Sequence, residues 1–124
     1  MHADWAILKL EKEIKRSRVK PLEHITLDAS VGDTVFIAGY AKYKSSSEQR
    51  FDLSYSECKI KAIAINISLT DCRATKGNSG GPVILKVNED NYGLVGVISE
   101  GNELNVSSFV PAKIFKPEVQ KYIE

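Results

Sequence analysis

One serine in this chain stands in a turn that could present it as a nucleophile. Ser79 is flanked by glycines in the run Lys76–Pro82, KGNSGGP, and an apolar segment follows. Glycines on both sides let the backbone adopt positive φ and approach a substrate closely, and successive amide N–H groups in such a turn can converge on an oxyanion. The pattern favours acyl transfer. Many glycine-serine turns serve only geometry, however, so the interpretation requires a second catalytic residue elsewhere.

A carboxylate near the start of the sequence is the candidate partner. Asp4 heads the otherwise apolar segment Asp4–Leu10, DWAILKL. Burial of an unpaired carboxylate is costly, and orienting a catalytic histidine is one role that offsets the cost. The alternative is that Asp4 marks the solvated end of a strand. The serine turn favours the catalytic interpretation.

These two segments, in this order, resemble those of the chymotrypsin-like (trypsin-fold) serine peptidases, and most closely the bacterial branch that includes the glutamyl endopeptidases. In that family an aspartate opens a D-x-A-hydrophobic-L segment, and the serine lies within G-[DN]-S-G-[GS]-P. The resemblance implies Ser79 as the nucleophile, Asp4 as the residue that orients the histidine, and the N–H groups of Gly77 and Ser79 as the oxyanion hole. Asn78 replaces the aspartate that binds a new N-terminus in the animal enzymes, which implies that this ion-pair switch is absent here.

The same resemblance implies substrate-binding residues. Gly93–Gly101, GLVGVISEG, is similar to the family strand that pairs with an extended substrate and forms one wall of the specificity pocket, so Ser99 and Gly101 are expected to face substrate. Counting back from the serine places Arg73 near the base of that pocket, where a cation would favour Asp or Glu side chains. The alternative is that Arg73 lies on a solvent-facing loop. Ile98 stands where some glutamyl-specific relatives carry a histidine, which counts against acidic specificity.

The segments that resemble the family include no catalytic base for the serine. A serine hydroxyl is a poor nucleophile at neutral pH until an adjacent base accepts its proton, and in the family that base is a histidine well upstream of the aspartate. His2 is separated from Asp4 by one residue, and His24 follows Asp4 in a stretch similar to the connection between barrels. We therefore expect a serine endopeptidase whose chain is inactive alone. The alternative function is a non-catalytic trypsin-fold protein that acts as a binding module.

Length and strand pattern indicate one barrel. The family fold consists of two six-stranded barrels, whereas 124 residues with 43% hydrophobic and 27% charged residues supply one core. Short strands separated by turns, such as Thr34–Tyr40, are typical of an all-β barrel. The predicted fold is a six-stranded Greek-key barrel with a short C-terminal helix. Residues 1–10 are expected to be the last strand of the N-terminal barrel, 11–29 the inter-barrel linker, and 30–124 the C-terminal barrel.

Two local elements of this barrel are predicted from the residues alone. Val83–Val87 and Gly93–Gly101 are expected to pair as a hairpin across the Asn88–Asn91 loop. Pro117–Ile123 is expected to form the helix, since proline suits the first helical position.

The first ten residues also predict an interaction. Trp5, Ile7, Leu8 and Leu10 would pack into a second barrel, and if exposed they form an apolar edge for the missing N-terminal barrel or for another copy of the chain. The other expected partner is a peptide or protein substrate. A net charge of +1 gives no reason to expect nucleic acid or a membrane surface, and no apolar run approaches the roughly 20 residues that span a bilayer. No cofactor is expected, and two cysteines without nearby histidines are too few for a metal site such as zinc.

The two cysteines, Cys58 and Cys72, bracket a strand-like segment, Lys59–Ile65. A pair at this spacing resembles a bridge in some secreted bacterial trypsin-like proteins, where it supports the loop leading to the nucleophile. That resemblance implies a secreted or periplasmic location. If formed, the bridge closes a loop of about 15 residues and stabilises the fold by about 3 kcal/mol. Two free, partly buried thiols are the alternative.

Overall fold

The strands of the chain follow one another with short connections. The structure is a computed structural model that describes residues 4–22, 24–25, 29–44, 49–74, 77–102 and 105–123. The described residues contain seven strands and one helix. They are β1 (His24–Ile25), β2 (Thr34–Lys44), β3 (Gln49–Ile63), β4 (Ser68–Thr70), β5 (Pro82–Asn88), β6 (Asn91–Gly101), β7 (Ser107–Pro111) and α1 (Ala112–Gln120).

Six of these strands close into a barrel. Their order is β6-β5-β2-β3-β4-β7, and β6 also pairs with β7, so the antiparallel sheet joins its own first strand. Where a barrel strand pairs with a neighbour on each side, it has no unpaired edge that could bind another strand. The predicted all-β, six-stranded barrel with a short C-terminal helix is confirmed. β1 is added to β6 in parallel and lies within residues 11–29, the segment predicted as a linker.

Alternation of side chains along the strands fills the barrel. In β2, Val35 and Ile37 are buried while Tyr40 is exposed, because successive side chains of a strand point to opposite faces. The core includes residues just before and just after the serine turn, so packing of the barrel positions that turn. Its buried members are Val35, Ile37, Cys58, Ile60, Cys72, Ala74, Val83, Val95, Ile98 and Phe109.

A second apolar cluster joins the helix to the start of the chain. Trp5 packs against Phe115 of α1, with ring centroids 6.1 Å apart and planes tilted by 45°. Trp5 is therefore half-buried and does not belong to the exposed apolar edge that we predicted. Leu8 and Leu10 remain 84% and 59% exposed. Residues 4–10 form no strand in this structure.

The helix begins before the predicted position. It starts at Ala112, directly after the N-cap residue Pro111, and Pro117 lies inside it. The predicted start at Pro117 is wrong, because β7 ends at Pro111 and the helix follows it directly. Burial of Ala112 and Phe115 fixes the first turns of the helix against the barrel. This packing offsets the backbone hydrogen bond that an internal proline removes.

The predicted hairpin is present, with β5 and β6 paired across a turn at residues 89–90. A disulfide joins Cys58 of β3 to Cys72, which follows β4, and their Cα atoms are 5.1 Å apart. Both cysteines are buried. The bridge therefore fixes the segment that leads to the serine turn onto the barrel. None of the helices in the described residues is long and apolar enough to cross a membrane.

Candidate active site

The serine turn owes its shape to two glycines. Gly77 has φ of 100° and Gly80 has φ of 85°, a left-handed conformation that glycine adopts without a steric penalty. Ser79 lies between them and is exposed. The turn thus places Ser79 at the surface on a backbone path that other residues at positions 77 and 80 would resist.

Hydrogen bonds fix this turn onto β6, and close packing places it against β2. The Gly80 N–H donates to the carbonyl of Ile98 at 2.8 Å, and the Ile98 N–H donates to the carbonyl of Gly81 at 2.9 Å. The Gly81 N–H also closes the turn onto the carbonyl of Asn78 at 2.9 Å. A Cβ atom on Gly81 would collide with the backbone carbonyl oxygen of Ala38 in β2. Glycine is therefore required where the turn passes β2.

Ser79, Ser99 and Asp4 form a hydrogen-bonded series. The Ser79 hydroxyl donates to the carbonyl oxygen of Ser99 at 3.0 Å. The Ser99 hydroxyl in turn donates to Oδ2 of Asp4 at 2.5 Å. Ser99 is only 6% exposed, so both contacts are anchored on a buried residue. The two predicted catalytic side chains therefore contact the same residue, Ser99.

A further role of Ser99 was missed in the sequence. That Ser99 faces substrate stays a prediction, and the structure adds that its hydroxyl donates to Asp4 and its carbonyl accepts from Ser79. The position follows from β6, which carries Ser99 past the serine turn immediately after Ile98. A buried serine beside an exposed carboxylate is a contact between residues 95 positions apart, and no local pattern in the sequence signals it.

Two amide groups of the turn are those predicted for the oxyanion hole. The N–H groups of Gly80 and Gly81 are used within the fold, while those of Gly77 and Ser79 donate to no other described residue. These are the two N–H groups that the resemblance implies for the oxyanion hole. Unused backbone donors next to a nucleophile can stabilise the negative charge that develops on an attacked carbonyl oxygen.

The Asn78 side chain is buried beneath the turn. Its side chain is 7% exposed, and its Oδ1 is buried without a hydrogen-bond partner among the described residues. Gly39 lies opposite, and a Cβ atom there would be 3.0 Å from this oxygen. A buried acceptor without a donor costs about 1–3 kcal/mol. An unpaired charge at this position would cost more, so the neutral amide is the less costly side chain.

The predicted pocket residues differ in their environments. Arg73 is exposed, and the next residue, Ala74, is 3% exposed within the barrel core. Gly101 at the end of β6 lies directly against Ala74, since a Cβ atom on Gly101 would be 2.7 Å from the Ala74 Cβ. The strand end and the segment before the serine turn are therefore in contact.

His24, the histidine among the described residues, does not lie beside this series. His24 belongs to β1 and pairs with Gly93, six residues before Ser99 on β6, which corresponds to roughly 20 Å at about 3.3 Å per residue. His2 lies outside the described residues. No group of three or more His, Cys, Asp or Glu residues among the described ones could hold a metal ion.

Comparison with known proteins agrees with the barrel and the serine turn. The Trypsin family profile matches residues 1–117, a range that includes Asp4, Ser79 and all seven strands. No curated protein sequence matches the chain. Because the family match extends over nearly the whole chain, this protein belongs to the trypsin family.

Proposed function

We propose that this chain carries the nucleophile of a serine endopeptidase that hydrolyses peptide bonds through an acyl-enzyme on Ser79. The observation that carries the proposal is the series from Ser79 through Ser99 to Asp4, with hydrogen bonds of 3.0 Å and 2.5 Å. Ser79 and Asp4 are exposed residues that both bond to the buried Ser99. In the proposed site, a base bonds to both the nucleophile and the carboxylate.

The proposed reaction has two stages. Ser79 Oγ attacks the peptide carbonyl carbon while a base accepts the hydroxyl proton, and the N–H groups of Gly77 and Ser79 stabilise the resulting oxyanion. The base then protonates the departing amine as the peptide C–N bond breaks, which leaves an ester on Ser79. A water molecule, deprotonated by the same base, attacks this ester, and the base returns the proton to Ser79 Oγ as the ester C–O bond breaks, which releases the acid and the free serine.

The base in this proposal is a histidine from outside the described residues. Asp4 Oδ2 is engaged by Ser99, and Asp4 is exposed, so its carboxylate can still accept a hydrogen bond from an approaching imidazole. His24 is excluded by its place in β1. Without the base, only oxyanion stabilisation and substrate binding contribute. We therefore expect negligible peptide hydrolysis by the 124-residue chain alone; rapid turnover by this chain would contradict the assignment of the base.

We propose that residues 1–10 dock an N-terminal barrel that brings this base, and a second copy of the chain is the alternative partner. Leu8 is 84% exposed and Leu10 is 59% exposed, close in sequence to Asp4, while Trp5 anchors the segment on Phe115. Replacing both leucines by serine in the natural polypeptide should lower its thermal stability and its reactivity at Ser79. The matched variant Val87→Ser, which alters a 53% exposed residue of β5, should change neither.

A fluorophosphonate tests the proposed chemistry directly. In the natural polypeptide that contains this chain, we expect covalent labelling of Ser79, detected as a mass increase of its tryptic peptide. Ser79→Ala should abolish labelling, and Asp4→Asn should slow it by roughly a thousandfold or more. Ser30→Ala, at an exposed serine outside the site, is the matched control and should label normally. Absence of labelling at Ser79 would refute the proposal.

A non-catalytic binding module is the second candidate. It is favoured by one observation, that the Ser79 hydroxyl donates to a backbone carbonyl and not to a base. Such a protein would bind peptides with the same affinity before and after Ser79→Ala, and would not react with a fluorophosphonate. Titration calorimetry with a peptide, combined with the labelling experiment, separates the two functions.

A secreted or periplasmic location is also proposed, together with membership of the bacterial branch. The disulfide between Cys58 and Cys72 supports the location, because disulfides persist mainly in oxidising compartments. The neutral, buried Asn78 supports membership of the bacterial branch. Alkylation of both thiols as free cysteines in protein freshly isolated from its source would contradict the location.

A further inference from the structure

The pocket for a substrate side chain is expected between two segments of the barrel. An attacked carbonyl carbon comes to about 3 Å from the serine oxygen before reaction. Since Ser79 Oγ is 3.0 Å from the Ser99 carbonyl oxygen, the residue that carries the attacked carbonyl is expected close to the end of β6. The family resemblance implies that Ser99–Gly101 is one wall of the pocket and that Arg73 lies near its base, so the segment before the turn, Cys72–Ala74, is expected to be the opposite wall.

That space is closed in this structure. A Cβ atom on Gly101 would be 2.7 Å from the Cβ and 3.1 Å from the carbonyl carbon of Ala74, and still closer to the Ala74 carbonyl oxygen. Real Cβ atoms essentially never approach other heavy atoms within 3.0 Å. The two backbone segments are therefore in direct contact, and no methylene chain fits between them at this level.

Both sides of the contact are braced by the fold. The Cys72 N–H donates to Oγ1 of Thr70 at 3.0 Å, and Thr70 shares a 2.7 Å hydrogen bond with the hydroxyl of Ser107. Ser107 is the register partner of Gly101. Thr70 and Ser107 are 0% and 1% exposed, so a buried bond ties the strand before Ala74 to the strand beside Gly101.

The disulfide adds a second restraint on the same side. Cys72, two residues before Ala74, is bonded to Cys58 of β3 and is 2% exposed. Separation of the two walls would require movement of a core residue, a disulfide and a buried hydrogen bond together. Closely packed interiors resist such displacement.

We propose that the Ala74–Gly101 contact closes the primary side-chain pocket, so that the peptidase cleaves after glycine, alanine or serine and excludes larger acyl residues. The proposal rests on the proposed peptidase function. It assigns the choice of substrate to Ala74 and Gly101 and not to Arg73, whose side chain is exposed outside this contact. An acidic acyl residue therefore gains no binding site from Arg73.

The test is a cleavage profile of the natural polypeptide. Peptides that differ only in the acyl residue, as alanine, valine, phenylalanine, lysine or glutamate, are compared by kcat/KM, alongside fluorophosphonate labelling of Ser79. We expect kcat/KM for alanine to exceed that for phenylalanine, lysine and glutamate by at least about a hundredfold. A pocket without room for several methylene groups discriminates strongly against larger side chains. Valine should lie between them.

The outcomes distinguish the inference from the function. Labelling of Ser79 with efficient cleavage after phenylalanine, lysine or glutamate overturns the closed pocket and leaves the peptidase function standing. Absence of both labelling and cleavage overturns both. Labelling with cleavage confined to small residues supports both.

One variant tests the contact itself. Ala74→Gly removes the methyl group but leaves the closer Ala74 carbonyl oxygen against Gly101, so phenylalanine, lysine and glutamate should stay excluded. The matched control is Ala62→Gly, which makes the same change at an exposed residue of β3. Efficient cleavage after phenylalanine in Ala74→Gly, with labelling and the disulfide intact, would contradict the backbone contact as the barrier.

Discussion

Ser99 holds Asp4 beside the nucleophile: its hydroxyl donates to Oδ2 of the carboxylate at 2.5 Å, although the two residues are 95 positions apart in the chain. The carbonyl oxygen of the same residue accepts a hydrogen bond from the Ser79 hydroxyl. One residue of β6 thus aligns a carboxylate with the serine turn. The arrangement makes Ser99 a positioning residue for the proposed reaction.

Ser99→Ala should lower activity without unfolding the protein. A hydrogen bond to a charged group contributes about 1.5–3 kcal/mol, which corresponds to a fall in kcat/KM of roughly tenfold to a hundredfold. We expect the loss in kcat with little change in KM, measured on the natural polypeptide with a good peptide substrate. Ser99→Thr retains the hydroxyl and should recover most of the rate. A kcat equal to that of the parent in Ser99→Ala would show that Asp4 needs no such support.

Gly81→Ala should displace the serine turn. The added methyl group meets the Ala38 carbonyl oxygen and would be 2.9 Å from that of Asn78, and such overpacking costs about 1–3 kcal/mol. Fluorophosphonate labelling of Ser79 is expected to be lost or strongly slowed. Gly32→Ala is the control, because its φ is 95° but no atom lies within 4 Å of the new methyl. That variant should lose only about 1–2 kcal/mol of stability and keep its labelling rate.

Loss of the disulfide should destabilise the barrel. The bridge spans a sequence separation of 14, for which the chain-entropy treatment gives about 3 kcal/mol. Urea unfolding of the Cys58→Ala, Cys72→Ala double variant should show a free energy of unfolding lower by this amount. A reductant should shift the parent protein similarly and leave the double variant unchanged. Identical urea midpoints for the oxidised and reduced parent would contradict the prediction.

Asp71, beside Cys72, should make stability depend on acidic pH. The Lys59 backbone N–H donates to its carboxylate at 2.7 Å and Lys61 lies 3.6 Å from it, which lowers the pKa of Asp71 below its ordinary value of 3.8. A carboxyl whose folded pKa is lower stabilises the fold above the unfolded pKa. That contribution is lost as the pH falls below 3.8 and through the lowered folded pKa. Asp71→Asn should reduce the acid dependence in urea unfolding series at successive pH values, and an unchanged slope would refute the assignment.

Local features of the fold were predictable because short-range physics determines them. Glycines at 77 and 80 adopt positive φ, as the serine turn required. The hairpin of β5 and β6 follows from two apolar runs around a polar turn. The helix start was mispredicted at Pro117, because the helix begins at Ala112 and its first turns are fixed by burial of Ala112 and Phe115 against the barrel, which no local pattern reveals.

The sequence by itself determined the barrel, the family resemblance and the presence of a serine turn with a possible carboxylate partner, since each depends on residue types and short spacings. Only the tertiary structure decided that Ser99 joins Asp4 to Ser79 and that Gly101 meets Ala74. Both contacts depend on how β6 passes the serine turn and pairs with β7, including an irregular register between Ile98 and Glu100. A one-residue shift in such a strand turns its side chains to the other face, and that register is set by packing of the whole barrel.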